Sequence, residues 1–451
     1  MLIMQKLLIR NFKKKRSLLI FSILLLLFSL ILPLGYSSAA ESILKYRVRS
    51  PRTSRITHEI TVLNKGKLPV KNIKIWVPII KNETPYHLVL INDIMANLPY
   101  KNFENDSSNN TYIHWQINSI LPGNIFKAKI EYSILSFDVQ YVIDTHLVGN
   151  YSTKSWLYET YTRPEQYIES DDPLIKEVAQ SIAENETNPH ILASKIADFV
   201  SKHLKYTVQS EEKRARWALE HGEGDCSEFS YLFTALCRAC GIPARVKAGF
   251  AFHSNTETTE FGHMWAEYYL PNYGWIPVDL TWHQVCHQDS LHFGLLHSFP
   301  IKYPYDIVFI ECSVPANIEV YHTVEISLGS IADFENFSLA NLTYDTICKT
   351  ETVESLYFLT TMMGARIFSP KDYKNLKNAI EEFDLTVQQS LETKDLNGIK
   401  RADAQIEYIS GLAEAIIFKC GIMLTLTALI ITLIVFAISS KKRRNEACFT
   451  L

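Results

Sequence analysis

The chain lacks an excess of charge of either sign. Among 451 residues, 45 Lys and Arg face 48 Asp and Glu, for a formal net charge of −3. Nothing global therefore recruits nucleic acid, and no nucleic-acid partner is expected. Cysteine is scarce as well: eight residues are too few for a fold built mainly on disulfides. The chain also lacks internal repeats and low-complexity tracts, so a solenoid or array is not expected. No spacing of His and Cys matches a zinc signature, and neither metal nor cofactor is expected. The metal-capable residues His283, Cys286, His287 and His292 crowd one short stretch, but they read better as surface or core side chains.

Long apolar runs, in contrast, occur at both ends. Ser17 to Leu34 follows the basic cluster Lys13, Lys14, Lys15 and Arg16, and the small residues Ser38, Ala39 and Ala40 come next. Residues 1–40 thus read as a signal peptide or a retained signal-anchor. Residues 421–440 are apolar and run into Lys441, Lys442, Arg443 and Arg444. They read as a membrane helix over 416–440, with 441–451 as a basic cytoplasmic tail. Both basic clusters favour the cytoplasm, which puts residues 41–415 outside the cell membrane, the bilayer being one expected partner. Asn82, Asn105, Asn109, Asn150, Asn185, Asn336 and Asn341 each begin an Asn-x-Ser/Thr triplet, so they are glycosylation candidates on that exterior.

Between the ends the apolar periodicity changes twice. Residues 41–145 alternate, around Val70, Ile73, Ile75 and Val77 for example, with turn residues such as Asn64-Lys65-Gly66 between runs. That predicts a β-sandwich of about 100 residues. From 146 to 300 helical spacing appears first, with Asn188 and Pro189 as a helix start, and three strand-like pieces follow over 244–252, 263–270 and 274–282. Helices followed by strands predict an α+β core. Residues 301–345 look β again, either extending a sheet or forming a small third unit. Residues 346–415 predict two or more amphipathic helices leading to the membrane, one beginning at Ser369-Pro370.

One stretch, GEGDCSEFSYLFTALCRACGIPAR at 222–245, carries the chemistry. Cys226 stands where a helix begins, after a turn that Gly222 and Gly224 permit. Free N–H groups and the dipole at a helix start favour a thiolate. Phe229, Leu232, Phe233 and Leu236 continue the helix at core spacing, and Gly241 with Pro243 ends it. Cys237 and Cys240, three apart, read as buried core thiols. A thiol nucleophile also needs an imidazole and an orienting carboxylate. His263 begins one strand piece and Asp279 ends the next, across the Asn272-Tyr273-Gly274 turn. His263, Trp265 and Glu267 share a strand face. With 14 histidines in the chain, spacing alone favours the plainer reading of a buried thiol, a strand histidine and a turn carboxylate.

The combined pattern weighs against that plainer reading. Gly-Asp-Cys226 at a helix start, the RACGIPAR exit, His263-x-Trp-x-Glu and Gly-Trp-x-Pro-Val-Asp279 follow in order, and together they resemble the transglutaminase-like superfamily of papain-fold thiol enzymes over about residues 170–295. The resemblance implies Cys226 as nucleophile, His263 as base and acid, and Asp279 as its orienting group. It implies Gln284, Asp289 and His292 as supporting residues, and Met264 departs from the alanine common in relatives. It further implies an α+β transglutaminase-like core after a β-sandwich and before a helical stalk and a transmembrane helix. The implied activity is cleavage or transfer of amide bonds in protein or peptide substrates at the cell surface. A catalytically inactive adhesion or scaffold protein with the same fold is the alternative.

Overall fold

The computed structural model describes residues 44–297, 308–312 and 317–447. The signal segment expected at 1–40 and the last four residues lie outside the described residues. The chain divides into two compact units. One comprises Ile43–Glu354 with Ala379–Ile409, and the other includes Ser355–Asn378 and the chain from Ser410 on.

The N-terminal region is built from six strands: β1 (Tyr46–Asn64), β2 (Val70–Pro78), β3 (His87–Ala96), β4 (Asn102–Asn105), β5 (Thr111–Ile120) and β6 (Ile125–Tyr141). Alternation sets the faces. Ser54, Ile56, His58, Ile60 and Val62 of β1 are buried, while Arg55 and Glu59 between them are exposed. In β2 the buried residues Val70 and Ile73 are three apart: Asn72 lies between them at φ 51, and the pairing with β5 keeps its register across it. Trp115 of β5 meets Phe126 of β6 edge-on with ring centroids 5.6 Å apart, and so joins a four-stranded sheet to a six-stranded one.

The second region supplies α1 (Trp156–Thr162), α2 (Pro173–Ala183), α3 (Pro189–His203), the short β7 (Lys205–Tyr206), α4 (Ala215–His221), the short β8 (Glu223–Gly224) and α5 (Cys226–Ala239). The strands β9 (Ala244–Ala251), β10 (Glu257–Thr259), β11 (His263–Leu270), β12 (Gly274–Asp279), β13 (Gln284–Val285), β14 (His287–Gln288) and β15 (His292–His297) follow. Five of these form an antiparallel sheet in the order β13-β12-β11-β9-β15. The helix α5 lies against β9 and β11 with α2, α3 and α4 around it, and is buried on every side. Its Arg238 is tolerated inside because it donates to the carbonyls of Ala244 (2.8 Å) and Arg163 (2.7 Å) and pairs with Glu165 (2.9 Å). Burying Phe229, Leu232, Phe233 and Leu236 contributes on the order of 2 kcal/mol each.

The two regions share a sheet. After β16 (Phe309–Glu311), which pairs with β2, the strand β17 (Ile318–Leu328) pairs with β1 along its whole length. The six-stranded sheet runs β10-β17-β1-β6-β14, with β3 also on β6, so the strands β10 and β14 at the two ends of that path come from the second region. Of the two readings open for residues 301–345, β17 takes the one in which the strand extends an existing sheet.

The helices α6 (Ser338–Cys348), α7 (Thr350–Met362), α8 (Ala365–Phe368), α9 (Pro370–Thr393) and α10 (Leu396–Ala447) complete the chain. As the Ser369-Pro370 signal predicts, α9 begins at Pro370. The expected helical stalk is not separate throughout: Asp384, in α9, is buried under Arg47 (3.0 Å) and Arg49 (2.8 Å) of β1. Within α10, Leu396–Leu433 is long and apolar enough to cross a membrane. Leu424, Leu426, Leu429, Ile430, Ile431 and Leu433 are all exposed there.

Candidate active site

Cys226 is the first residue of α5, and the local sequence explains why. Gly222 closes α4 at φ 68, a left-handed conformation that glycine adopts without strain. At Gly224 a side chain would collide with Cβ of Glu228. Asp225 then caps α5: its carboxylate accepts from the N–H of Ser227 at 3.0 Å, and Glu228 returns the contact by accepting from the N–H of Asp225 at 2.9 Å. The other Glu228 oxygen accepts from the N–H of Lys213 at 2.7 Å, which ties the preceding loop to the helix. Burial pushes the Glu228 carboxyl up to about 7 despite these bonds. The cap serves Ser227 and Glu228, not the N–H of Cys226.

Antiparallel pairing of β11 with β12 brings His263 and Asp279 to one end of the sheet. Nε2 of His263 lies 2.6 Å from Oδ2 of Asp279. A carboxylate only accepts, so Nε2–H donates, and Nδ1 is the ring nitrogen left to meet Cys226. The Cys226 side chain lies beside the same imidazole and helps to raise its value. All three predicted site residues therefore come together. Cys226 and His263 both line a cavity of about 410 Å³ that opens beside the thiol.

Asp279 is held from both sides. Its Oδ1 accepts from the N–H of Thr281 (3.0 Å), the hydroxyl of Thr281 (2.8 Å) and the N–H of Trp282 (3.0 Å). Its Oδ2 is shared between His263 and Nε2 of His292, 3.2 Å away. Burial opposes the charge, but the two imidazoles prevail and keep the carboxyl well below its usual range. Nδ1 of His292 meets Asp289 at 2.7 Å, so each ring nitrogen of His292 faces a carboxylate and both carry hydrogen. The N–H of Asp289 in turn donates to Oε1 of Gln284 at 3.1 Å. Burial would lower the imidazole values of His263 and His292. The bond to Asp279 and the neighbouring Cys226 in one case, and the bonds to Asp279 and Asp289 in the other, instead raise each to about 9. Trp265 stacks 6.0 Å from His263, and Trp282 lies 5.7 Å from His263 and 4.8 Å from His292. These aromatics shield the pair from water.

His263, Asp279 and His292 also offer three metal-ligating atoms within 4.8 Å of one another. Those atoms are already used in mutual hydrogen bonds, so the group works as a proton-holding network. Of the other metal-capable residues predicted nearby, Cys286 instead bonds Tyr268 (3.5 Å), and only His292 turns to the site. The chain turns at His283 (φ 56) and Cys286 (φ 57), which disperses the cluster.

Cys237 is fully buried and its value is pushed far up, while burial raises that of Cys240 to about 11. Among the described residues no disulfide links Cys226, Cys237, Cys240, Cys286, Cys348 or Cys420. Of the glycosylation candidates, Asn82, Asn105, Asn109, Asn150, Asn185 and Asn336 are exposed. Asn341 is half-buried and its amide donates to the carbonyl of Phe334 at 2.7 Å.

Sequence reasoning missed the outer wall of the cavity: Glu212, Glu260, Phe261 and His322. The last reaches it from β17, a contact between residues far apart in the chain that no local pattern announces.

A sheet with one buried helix, a thiol at the helix start and a His–Asp couple on the adjoining hairpin define a papain-like α+β core. Residues 176–280, which contain Cys226, His263 and Asp279, match the transglutaminase-like superfamily, a family of thiol enzymes, and that segment is a transglutaminase-like domain. A proposed cysteine protease from Cytophaga hutchinsonii shares the fold at a TM-score of 0.50 and 18% identity, over 63% of this chain and 93% of that one. An uncharacterized protein of Haemophilus influenzae is 28% identical over 174 residues, which cover 32% of this chain. The match spans 41% of that relative's length.

Proposed function

We propose that this protein is a membrane-anchored, outward-facing thiol enzyme that opens amide bonds of protein or peptide substrates. The observation that carries the reading is the placement of Cys226 beside the bonded His263–Asp279 pair, at the edge of an open cavity. Asp279 and its neighbours favour an imidazolium at His263, which therefore holds the thiol proton. The sulfur attacks the amide carbonyl carbon, and the Cys226 N–H steadies the oxyanion. The C–N bond breaks as His263 passes its proton to the departing nitrogen, and a thioester remains. Water then gives a proton to His263 and attacks the thioester, releasing a carboxylic acid and restoring the thiol pair. An amine in place of water completes transfer instead. Lys441–Arg444 after the apolar helix support a cytoplasmic tail and an exterior active site.

The test is the full-length protein and its Cys226→Ala variant, assayed side by side for amide hydrolysis and amine incorporation. Loss of both activities by at least about 10³-fold, with an unchanged melting curve, is the expected result. Equal activity in the variant removes Cys226 as nucleophile and leaves an anchored scaffold as the better description. Iodoacetamide that labels other thiols while sparing Cys226 tells against the reading as well.

A further inference from the structure

Where α10 leaves the protein body, a second apolar segment stands beside it. Residues 421–440 are apolar and rise about 30 Å, the thickness of a hydrocarbon core, so Gly421 marks one edge of the span. Packing ends at the same place. Ile406, Ile409, Ala413, Ile416 and Cys420 of α10 are buried at helical spacing, whereas from Ile422 to Leu433 every residue is exposed and none is charged. Ser355–Asn378 and the chain from Ser410 on belong to one compact unit. That unit includes the second half of α7, the turn at Gly364, α8 and the start of α9.

The elbow between α7 and α8 is fastened at the level of Gly421. A side chain at Gly421 would lie 3.8 Å from Cε of Met363, the residue after α7. Two residues before Gly421, Lys419 pairs with Asp372 of α9 at 2.6 Å. The exposed face of α7 changes character on its way there. It reads Glu351, Thr352 and Ser355, then Phe358, Leu359 and Met362 at the same helical spacing. Ile367 of α8 continues the apolar part: Phe358, Met362 and Ile367 are 65%, 69% and 60% exposed. A stripe that turns from polar to apolar where the neighbouring helix enters lipid suits a segment lying at the bilayer surface. Groups that favour the headgroup level adjoin it. The guanidinium of Arg366 lies 5.4 Å over the ring of Tyr373, whose hydroxyl donates to that of Tyr357 at 2.8 Å.

We infer that the α7–α8 elbow, from Phe358 to Ile367, is a second membrane contact, lying in the interfacial layer of the bilayer beside the start of α10. Phe358, Leu359, Met362 and Ile367 enter the acyl boundary, while Arg366 and the two tyrosines stay among the headgroups. One crossing helix leaves the tilt of this unit open, and the second contact fixes it. The inference rests on α10 crossing the membrane, so the test includes a position inside the span.

Full-length protein carrying benzoylphenylalanine at a single position is reconstituted in vesicles of phosphatidylcholine and phosphatidylglycerol, irradiated, and searched for lipid adducts by mass spectrometry. The positions are Phe358, Met362, Leu429 in the span, and Leu68, an exposed apolar residue of the turn after β1. Adducts at Phe358 and Met362, as at Leu429, are expected at least about tenfold above those at Leu68. Adducts at Leu429 with no excess over Leu68 at Phe358 and Met362 overturn the elbow and leave the span intact. No adducts at Leu429 remove the span, and the inference with it.

The second arm leaves the sequence untouched. Chloramine-T oxidises accessible methionines to sulfoxides, and tandem mass spectrometry separates Met362 from Met95 of β3. Met362 is the more exposed in the fold, 69% against 41%, so contact with water alone makes it the faster to react. In vesicles it is expected to react more slowly than Met95, by about tenfold. Oxidation of Met362 at or above the rate of Met95 overturns the inference.

Discussion

Two clusters of buried charge lie close together in this protein, and they do different things. At the seam between the sandwich and the core, Lys247 is fully buried, paired with Glu83 and 3.5 Å from Glu267. Arg245 completes the group at 2.6 Å from Glu267 and lies 4.0 Å over the ring of Trp275. Two cations meet two carboxylates, and none of the four lines the cavity. The second cluster, His263, Asp279 and His292, places its charge on groups that exchange protons, and one of them faces the cavity beside a thiol. Buried charge alone does not mark a site. What marks it is a proton held on a group that can titrate and can be reached. The seam is a clamp, and clamps of this kind contribute little unless one partner is removed.

The sharpest way to break this comparison is Asp279→Asn. It leaves the shape and removes the charge that orients His263 and protonates both histidines. Turnover is expected to fall by roughly 10³- to 10⁴-fold, read as kcat on a fluorogenic amide, with far-UV circular dichroism unchanged. A mild loss would place Asp279 with the clamps.

Next in size is Lys247→Met, which leaves Glu83 and Glu267 short of a partner. Stability is expected to drop by about 3–5 kcal/mol in denaturant titration, while activity per folded molecule stays within a few-fold. Lost chemistry without lost stability would erase the distinction between the clusters.

A pH series sharpens it further. The folded-state values of His263 and His292, near 9, lie above the 6.5 of an unperturbed imidazole. Their stabilising protonation is complete below pH 6.5 and is lost as pH rises through about 9. The melting temperature is expected to fall by several degrees over that window, and by clearly less in His292→Gln. Equal slopes in the two proteins would remove His292 from the proton-holding network. The smallest effect is expected from Asp225→Ala, which deletes the cap on α5 and costs about 1 kcal/mol in thermal melting.

Much of the fold was legible because its signals are local. Alternation marked β1, β2, β5 and β6, and helical spacing with caps marked α2, α3 and α5. The turn chemistry around Gly222 and Gly224 pointed to a helix start at Cys226, and the hairpin at Asn272-Tyr273-Gly274 placed His263 and Asp279 on adjacent strands. The helices α1 and α4 went unread, since seven residues hold too few turns for a periodic signal. The strand β17 was legible but its partner was not: its pairing with β1 joins residues more than 250 apart, and sequence separation hides such contacts. The same pairing sends His322 to the cavity.

By itself, the sequence determined which segments become strands or helices, which thiol begins a helix, and which histidine and carboxylate lie across one hairpin. Each is set by side-chain size, polarity and turn propensity over a few residues. Tertiary structure alone decided that Asp279 serves two imidazoles, that the sandwich clamps the core through Glu83, and that two glutamates face the thiol. Those outcomes depend on long-range strand register and on the weak screening of charges brought together away from water, neither of which exists until the chain has closed on itself.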